Sequence, residues 1–348
     1  MSLGPLMVDV AGTELTAEDR EILQHPLVGG VILFTRNYRD PRQVRALTEA
    51  IHALREPRLL VTVDHEGGRV QRFRDGFTQL PPARLYGELH DRDPKEAARL
   101  TELCGWLLAA ELRAVDVDMS FAPVVDLDFG VSSVIGDRAF HADPTVVAEL
   151  TRAWTLGMRR AGMAACAKHF PGHGAVQGDS HHMLPVDERS LEEIRQRDLV
   201  PYQRLFKLDC ASVMMAHVVY SQVDEQPASL SRRWVDEELR GRMRFEGVVF
   251  CDDLSMRGAE KAGDYLDRAE AALAAGCDML PVCNNRAGVE AILDGLKAPP
   301  NPVSQWRLVR LHGKESHSWD ALRAGAEWRH ACSALAKHYD AGFRLEPT

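Results

Sequence analysis

The chain has 348 residues, of which 45% are hydrophobic and 27% charged, as in an ordinary soluble globular protein. Its net charge of −9, with both signs interspersed, disfavours a general binder of nucleic acid or of an acidic membrane surface. The longest apolar runs are only as long as a strand, and residues 1–5 lack the basic start and apolar core of a secretory signal. Seven cysteines without a C-x-x-C pair predict reduced thiols in a cytoplasmic protein.

Eight short apolar segments are predicted to be strands, and helical patterns separate them. In chain order they are residues 6–10, 30–35, 59–64, 118–123, 163–168, 211–217, 247–252 and 277–283. Because parallel strands need helical crossovers, eight strand–helix alternations in about 300 residues predict an α/β fold, a (β/α)8 TIM-type barrel. An open doubly wound sheet is the structural alternative. It normally has a glycine-rich phosphate turn after its first strand, and this sequence has none there.

Helices are predicted from apolar periodicity. A long helix is predicted over 94–114, and two amphipathic patterns, 318–326 and 327–339, predict C-terminal helices. We expect residues 300–348, which contain them, to pack on the barrel. The sequence has no internal repeat, low-complexity segment or linker, so we predict a single catalytic domain over residues 1–348.

The most informative stretch is the run K-H-F-P-G-H-G at 168–174, which D-S-H-H follows at 179–182. Four histidines, a lysine and an aspartate within 15 residues, broken by glycine and proline, are too polar for a core and too glycine-rich for a helix. A loop of this kind at the end of a strand is typical of acid–base chemistry in α/β enzymes. Asp179 can accept the ring N–H of His181 and raise its basicity, so the pair is predicted to transfer protons.

Charged and polar side chains stand at or just beyond the ends of the predicted strands. They are Asp64, Arg72, Asp126, Arg138, Lys168, His169, His217, Asp252, Asn284 and Asn285. In an α/β barrel such positions face the active site. Asp252 is the strongest candidate, because a carboxylate that ends a buried strand is costly unless it is hydrogen-bonded, metal-bound or catalytic. Asp253 is predicted to be the N-cap of the next segment, Asp126 to cap a turn and His217 to be a structural histidine.

Together the motifs resemble the single-domain β-N-acetylhexosaminidases of glycoside hydrolase family 3, cytoplasmic enzymes of bacterial cell-wall recycling. The resemblance extends to about residue 300, and the motifs are V-D-H-E-G-G-R-V-Q-R at 63–72, I-G-D-R at 135–138, the runs at 168–174 and 179–181, and C-D-D-L-S-M at 251–256. It implies the same barrel, a cytoplasmic location and a substrate in which a β-1,4 bond joins N-acetylglucosamine to 1,6-anhydro-N-acetylmuramic acid, with or without peptide. Two positions depart from the family pattern, His65 in place of glutamine and Cys251 in place of serine. Of these, His65 is the one expected to alter hydrogen bonds near the sugar.

The resemblance also implies roles for the site residues. Asp252 would be the nucleophile, His181 the general acid/base and Asp179 its partner. N-acetylglucosamine would be held by Asp64, Arg72, Arg138, Lys168 and His169. Cleavage with retention needs a carboxylate that attacks the anomeric carbon and a proton donor for the leaving oxygen. The chemistry needs no metal or other cofactor, and the implied partner is the glycan or muropeptide substrate, with no obligatory protein partner.

Three other functions remain open from the sequence. One is a metal-dependent hydrolase, although no H-x-H pair ends an early strand. Its ligands would come from Lys168, His169, His217 and Asp252. A second is a non-catalytic sugar-binding protein, which would have no use for the Asp179–His181 pair. The third is a phosphorylase that uses the same site, because a histidine acid/base tolerates phosphate as the acceptor.

Overall fold

The computed structural model describes residues 2–178, 184–208, 210–314 and 316–339. Within these ranges the strands are β1 (Leu6–Val8), β2 (Val28–Leu33), β3 (Leu60–Val63), β4 (His65–Gly67), β5 (Val70–Gln71), β6 (Met119–Ser120), β7 (Cys166–Phe170), β8 (Val186–Asp187), β9 (Ser212–Met215), β10 (Val219–Tyr220), β11 (Val248–Phe250) and β12 (Leu280–Val282). The α-helices are α1 (Ala17–Gln24), α2 (Pro41–His52), α3 (Arg84–His90), α4 (Pro94–Ala114), α5 (Pro144–Arg160), α6 (Leu191–Gln196), α7 (Leu199–Phe206), α8 (Tyr265–Ala275), α9 (Arg286–Gly295), α10 (Pro302–Val309), α11 (Trp319–Ala324) and α12 (Ala326–Leu335).

Two parallel sheets form the centre of the fold. One has the strand order β12-β1-β2-β3-β6 and the other the order β11-β9-β7. Isolated bridges join their edges. Met119 of β6 pairs with Ala164, just before β7, and Phe250 of β11 pairs with Met279, just before β12. Every residue of these eight strands is buried, as is typical of parallel strands covered on both faces.

Each of the eight predicted strand segments contains or overlaps one of these parallel strands, which confirms the prediction of an α/β fold with parallel strands. The observed strands are mostly shorter than predicted. The fourth is reduced to Met119–Ser120, although the carbonyls of Ala122 and Pro123 still accept hydrogen bonds from Cys166 and Lys168. Because proline has no N–H to donate, the ladder is interrupted there.

The predicted helix over 94–114 is observed as α4, and it packs against α5 at two glycines. A Cβ on Gly105 would lie 2.4 Å from the carbonyl oxygen of Trp154. A Cβ on Gly157 would lie 2.1 Å from the carbonyl oxygen of Glu102. The close approach of the two helices therefore requires glycine at both positions.

Helices α11 and α12 lie at the two predicted C-terminal patterns, and both pack on α4. Glu111 of α4 connects α12 to the region around β5. Its buried carboxylate accepts hydrogen bonds from Trp328 Nε1 at 2.8 Å and from Thr78 Oγ1 at 2.7 Å. The C-terminal helices are thus joined to the core through a polar contact as well as through apolar packing.

The redox state of the cysteines and the character of the helices can be read from the structure. All seven cysteines are free and buried. Among the described residues, none of the helices combines the length and the apolar character that a bilayer crossing requires.

Candidate active site

A cavity of about 550 Å³ opens at the C-terminal ends of the parallel strands. Its volume lies within the range of roughly 300–1,000 Å³ that is typical of small-molecule sites. Six of the eight predicted site residues line it, namely Asp64, Arg72, Arg138, Lys168, His169 and Asp252. The other two, Asp179 and His181, lie outside the described residues.

Five of the lining residues form one ionic cluster. Lys168 Nζ lies 2.8 Å from Asp64 Oδ1 and 2.6 Å from Glu66 Oε1. Arg138 donates two hydrogen bonds to Glu66, from Nε to Oε2 at 2.9 Å and from Nη2 to Oε1 at 2.8 Å. Arg72 Nη2 is 3.7 Å from Asp64 Oδ2. Three cations therefore face two carboxylates, and each member lies near an opposite charge.

Burial and charge act in opposite directions on this cluster. Burial by itself would raise the pKa of Glu66, but Arg138 and Lys168 outweigh it and hold the pKa of this carboxyl well below its usual range. Burial would likewise lower the pKa of Lys168, but Asp64 and Glu66 outweigh it and raise the pKa of the amine. Both side chains are therefore charged at neutral pH, and the cavity is lined by charged hydrogen-bond donors.

Glu66 is a cavity residue that the sequence reasoning missed. The signal was present in the D-x-E-G-G run, because residues two apart in extended chain point to the same side. Asp64 and Glu66 both line the cavity, whereas His65 between them does not. Cys251 likewise lies in the core and outside the lining, while Asp252 after it lines the cavity.

His65 packs in an aromatic cluster instead of facing the sugar site. The residue is only 1% exposed, and its ring centroid lies 6.0 Å from that of Phe73 and 5.8 Å from that of Phe77. Burial, with Arg74 and Arg72 acting in the same direction, lowers the pKa of His65 to about 3. The ring is therefore neutral at pH 7. The expectation that His65 alters hydrogen bonds near the sugar is wrong, since its side chain points into the core.

Asp126 lies behind the cavity wall and organises two histidines that line it. Its Oδ2 is 2.7 Å from His169 Nδ1, and its carboxylate also accepts the backbone N–H groups of His169, at 3.2 Å, and of His173, at 2.7 Å. Burial opposes the charge on this carboxyl, but His169 outweighs it and lowers the pKa of Asp126. Asp126 was predicted to cap a turn; instead it binds backbone groups of β7 and of the loop that follows it, 43 and 47 residues away. The contact between Asp126 and Nδ1 fixes the orientation of the His169 ring in the cavity wall.

Asp252 and Asp253 directly follow β11, and both line the cavity. The carboxylate of Asp253 is bound to backbone groups of neighbouring segments. Asp253 Oδ1 accepts the N–H of Ser255 at 2.9 Å and that of Cys283 at 3.0 Å, and so joins the loop after β11 to the end of β12. Burial raises the pKa of Asp253 to about 6. Asp253 was predicted to be the N-cap of the following segment, and it does cap the turn at 254–255 through the N–H of Ser255, although no helical turn begins before Arg257.

His217 is held by the protein through both ring nitrogens. Nδ1 lies 2.6 Å from Ser229 Oγ, and Nε2 lies 2.9 Å from the carbonyl oxygen of Asp253. The prediction of a structural histidine is thereby confirmed. Because both ring nitrogens are occupied, His217 is not available as one of the four metal ligands that a metal-dependent hydrolase would need. In the part of the chain that the structure describes, no group of three or more His, Cys, Asp or Glu side chains is arranged to hold a metal ion.

A second cavity, of about 710 Å³, lies at the opposite ends of the strands, next to residues 2–5 before β1 and Asp278 before β12. Two of its arginines are paired with one aspartate. Arg240 Nη2 lies 2.7 Å from Asp278 Oδ2, and Arg307 Nη1 lies 3.1 Å from Asp278 Oδ1. None of the predicted site residues lines it, so the candidate site is the smaller, more highly charged cavity.

The regions that match known proteins include all residues of this site. The sequence profile of the glycosyl hydrolase family 3 N-terminal domain matches residues 5–310. The β-hexosaminidase of Thioalkalivibrio sulfidiphilus is 55% identical over 335 residues, with 96% of each chain covered. That of Bordetella avium is 56% identical over 329 residues, with 94% of each chain covered. Among solved structures, NagZ from Neisseria gonorrhoeae in complex with N-trifluoroacetyl-D-glucosamine has a TM-score of 0.92 and 42% identity, covering 97% of this chain and 98% of that one.

Proposed function

Since this chain belongs to glycosyl hydrolase family 3 and is a glycoside hydrolase, we propose that it is a retaining exo-β-N-acetylglucosaminidase. Its substrate would be the β-1,4 bond between N-acetylglucosamine and 1,6-anhydro-N-acetylmuramic acid, with or without peptide, in cell-wall recycling. The observation that carries this proposal is the position of Asp252 in the same cavity as the ionic cluster of Asp64, Glu66 and Lys168. The β-hexosaminidase relatives, and the N-acylated glucosamine bound by the Neisseria protein, support the choice of sugar.

In the proposed first step, a carboxylate oxygen of Asp252 attacks C1 of the sugar. The C1–O bond to the leaving group breaks as the new C1–O bond to Asp252 forms, and the protonated His181 gives its proton to the leaving oxygen. In the second step, the neutral His181 accepts a proton from water. The water oxygen bonds to C1 and releases the Asp252 carboxylate, so the configuration at C1 is retained. Asp179 would keep the His181 ring oriented through both steps.

The ionic cluster would bind the sugar before the chemistry begins. Asp64 can accept hydrogen bonds from hydroxyl groups, while Arg72, Arg138 and Lys168 can only donate them. Because Glu66 already pairs with Arg138 and Lys168, these donors would not have to be reoriented when the sugar arrives. His169, held by Asp126, would add a further contact.

We also propose that the two sheets are parts of one eight-stranded (β/α)8 barrel and that residues 1–348 form a single domain. The bridges Met119–Ala164 and Phe250–Met279 support this, because they would connect β6 to β7 and β11 to β12 and so close the strand order. In a barrel of this kind the C-terminal strand ends carry the active site, as the cavity does here. The seven free, buried thiols support the cytoplasm as the location.

Trapping the covalent intermediate tests the proposal. A fluorinated N-acetylglucosaminide with a dinitrophenyl leaving group should form the adduct quickly and hydrolyse it slowly, because fluorine destabilises both oxocarbenium-like transition states. Peptide mass spectrometry is expected to find the sugar on Asp252, and not in Asp252→Asn. The control Asp236→Asn removes an exposed carboxylate that pairs with Arg232, and because neither residue lines the candidate active-site cavity it should label normally. An adduct on another residue, or sugar 1-phosphate as the product in phosphate buffer, would contradict retaining hydrolysis through Asp252.

A further inference from the structure

The chain between β7 and β8 is fixed at its first end by three contacts. The carbonyl oxygen of Gly172 accepts a hydrogen bond from Tyr220 OH at 2.6 Å. The next residue, His173, donates its backbone N–H to Asp126 Oδ1 at 2.7 Å. At Gly174 a Cβ would lie 1.8 Å from the carbonyl oxygen of Leu127, so the backbone is pressed against its neighbour. Residues 172–174 are therefore held in place by two side chains, those of Tyr220 and Asp126, and by the backbone at Leu127.

The other end of this segment is fixed by an arginine between two carboxylates. Strand β8 pairs in parallel with β10, with Asp187 beside Tyr220. Arg189 donates to Asp187 Oδ2 from Nη2 at 2.7 Å and to Asp198 Oδ2 from Nη1 at 2.7 Å. Asp198 in turn lies against the first end, since a Cβ on Gly172 would be 2.5 Å from Asp198 Oδ1.

These contacts form a closed ring that we name the Arg189 clamp, consisting of Gly172, Asp187, Arg189, Asp198 and Tyr220. It joins the two ends of the segment that carries Asp179 and His181. None of its members lines the 550 Å³ cavity, so none is a candidate for contact with the sugar.

Burying the charges of the clamp costs free energy, and removing any one of them would cost more. The side chains of Asp187 and Asp198 are only 2% and 1% exposed, and one guanidinium serves both. Two buried carboxylates around one cation stabilise a fold less well than apolar residues of the same volume would, whereas losing the cation leaves two uncompensated charges. Arg189 provides a fixed, planar set of donors that fits two carboxylates in one relative position. The contribution of Arg189 and its two carboxylates is therefore to fix the relative positions of the segments that carry them, more than to stabilise the fold.

We propose that the Arg189 clamp is a positioning device that fixes the two ends of the segment bearing Asp179 and His181, and so sets where His181 delivers its proton. The inference rests on the proposed acid/base role of His181. Arg189 and Tyr220 are positioning residues in this scheme, because Arg189 binds the carboxylates of Asp187 and Asp198, Tyr220 binds the carbonyl of Gly172, and neither lines the cavity.

Two mild variants test the clamp. Tyr220→Phe removes one hydroxyl and keeps the buried ring, which packs on Trp234 with a centroid distance of 4.9 Å. Arg189→Lys keeps the charge but cannot serve two carboxylates in the same geometry. The readout is kcat/KM, which reports the steps up to the covalent intermediate, on the disaccharide with its poor leaving group and on the dinitrophenyl glycoside. We expect a loss of about 10- to 100-fold on the disaccharide and of at most about threefold on the dinitrophenyl substrate, because only the former needs a well-placed proton donor.

The control is Arg195→Lys. Arg195 also pairs with a buried carboxylate, Glu238, at 2.6 Å, but it is not part of the clamp and should leave the ratio of the two substrates unchanged. Equal losses on both substrates, or no loss on either, would overturn the proposal. Tyr220→Phe decides the matter if Arg189→Lys fails to fold. His181→Ala, measured in parallel, distinguishes failure of the proposed function from failure of the clamp proposal. If the loss in this variant does not depend on the leaving group, the proposed function fails. If it does depend on the leaving group but the losses in the clamp variants do not, only the clamp proposal is overturned.

Discussion

Glu66 Oε1 lies 2.6 Å from Lys168 Nζ, and the two side chains are only 7% and 3% exposed. The same carboxylate accepts two hydrogen bonds from Arg138, so one buried acid holds two of the cations proposed to bind the sugar. A buried charge of this kind is tolerated only because it is paired. The pairing also means that these binding groups keep their positions and their charge in the empty cavity.

Glu66→Gln should reduce both activity and stability. Replacing the carboxylate leaves Arg138 and Lys168 without their shared partner, so we expect kcat/KM to fall by about 100-fold and the free energy of unfolding by about 3 kcal/mol. Steady-state kinetics and urea denaturation measure the two effects. The matched control is Glu238→Gln, since Glu238 is also buried between two arginines, at 2.6 Å from Arg195 and 2.5 Å from Arg242. It should lose stability but keep its kcat/KM, and parallel losses of activity in both variants would contradict a specific role for Glu66.

Asp126→Asn should weaken sugar binding without changing the demand for a proton donor. The asparagine oxygen can still accept the backbone N–H of His173, but its amide group cannot accept the Nδ1–H of His169, so the ring loses its fixed orientation. We expect KM to rise by about tenfold on good and poor leaving groups alike, because both substrates carry the same sugar. A loss confined to poor leaving groups would show instead that Asp126 acts on the acid/base.

His181→Ala should harm poor leaving groups far more than activated ones. General acid catalysis contributes about 10²- to 10⁴-fold to such reactions, and a dinitrophenolate needs no proton to depart. We therefore expect kcat/KM to collapse on the natural disaccharide and to change little on the dinitrophenyl glycoside. Azide, which attacks C1 without needing a base, should restore turnover of the covalent intermediate. Equal losses on both substrates would exclude His181 as the acid.

His65→Gln should change how stability depends on pH. The pKa of His65 is lowered from 6.5 to about 3 in the folded chain, so between these values the unfolded chain binds a proton that the folded chain does not. Stability that is present above pH 6.5 is therefore lost as the pH falls towards 3, by an amount of the order of a few kcal/mol. Chemical denaturation between pH 7 and pH 4 should show a shallower decline for the variant than for the natural chain. The exposed His330→Gln is the control and should keep the natural slope.

The parallel strands and the longest helix could be predicted because their signals are local. Eight apolar runs mark the strands, and the spacing of apolar residues over 94–114 marks a helix whose N-terminal Asp93 and Pro94 are an N-cap and a first-turn proline. The exact ends could not be predicted where a proline interrupts the ladder, as Pro123 does after Met119–Ser120. The cap that Asp253 forms on the next turn could likewise be predicted, whereas its contact with Cys283, thirty residues away, could not.

The residues of the site also fall into those that the sequence could predict and those that it could not. Asp64, Lys168 and Asp252 stand at strand ends, so their convergence on one cavity follows from the order of strands. Glu66 was missed although the alternation of side chains after Asp64 would have selected it. The Arg189 clamp could not be found from sequence, because its members come from parts of the chain that only the folded backbone brings together.

The complete burial of the native thiols has a practical consequence. Burial raises the pKa of Cys104 and of Cys166 to about 12, and the other five cysteines are also shielded from solvent. Maleimide dyes, which need an accessible thiolate, should therefore leave the natural chain almost unmodified. A single cysteine introduced at the exposed Gln177 would then carry a fluorescent reporter next to the histidine motif, without the need to remove any natural residue first.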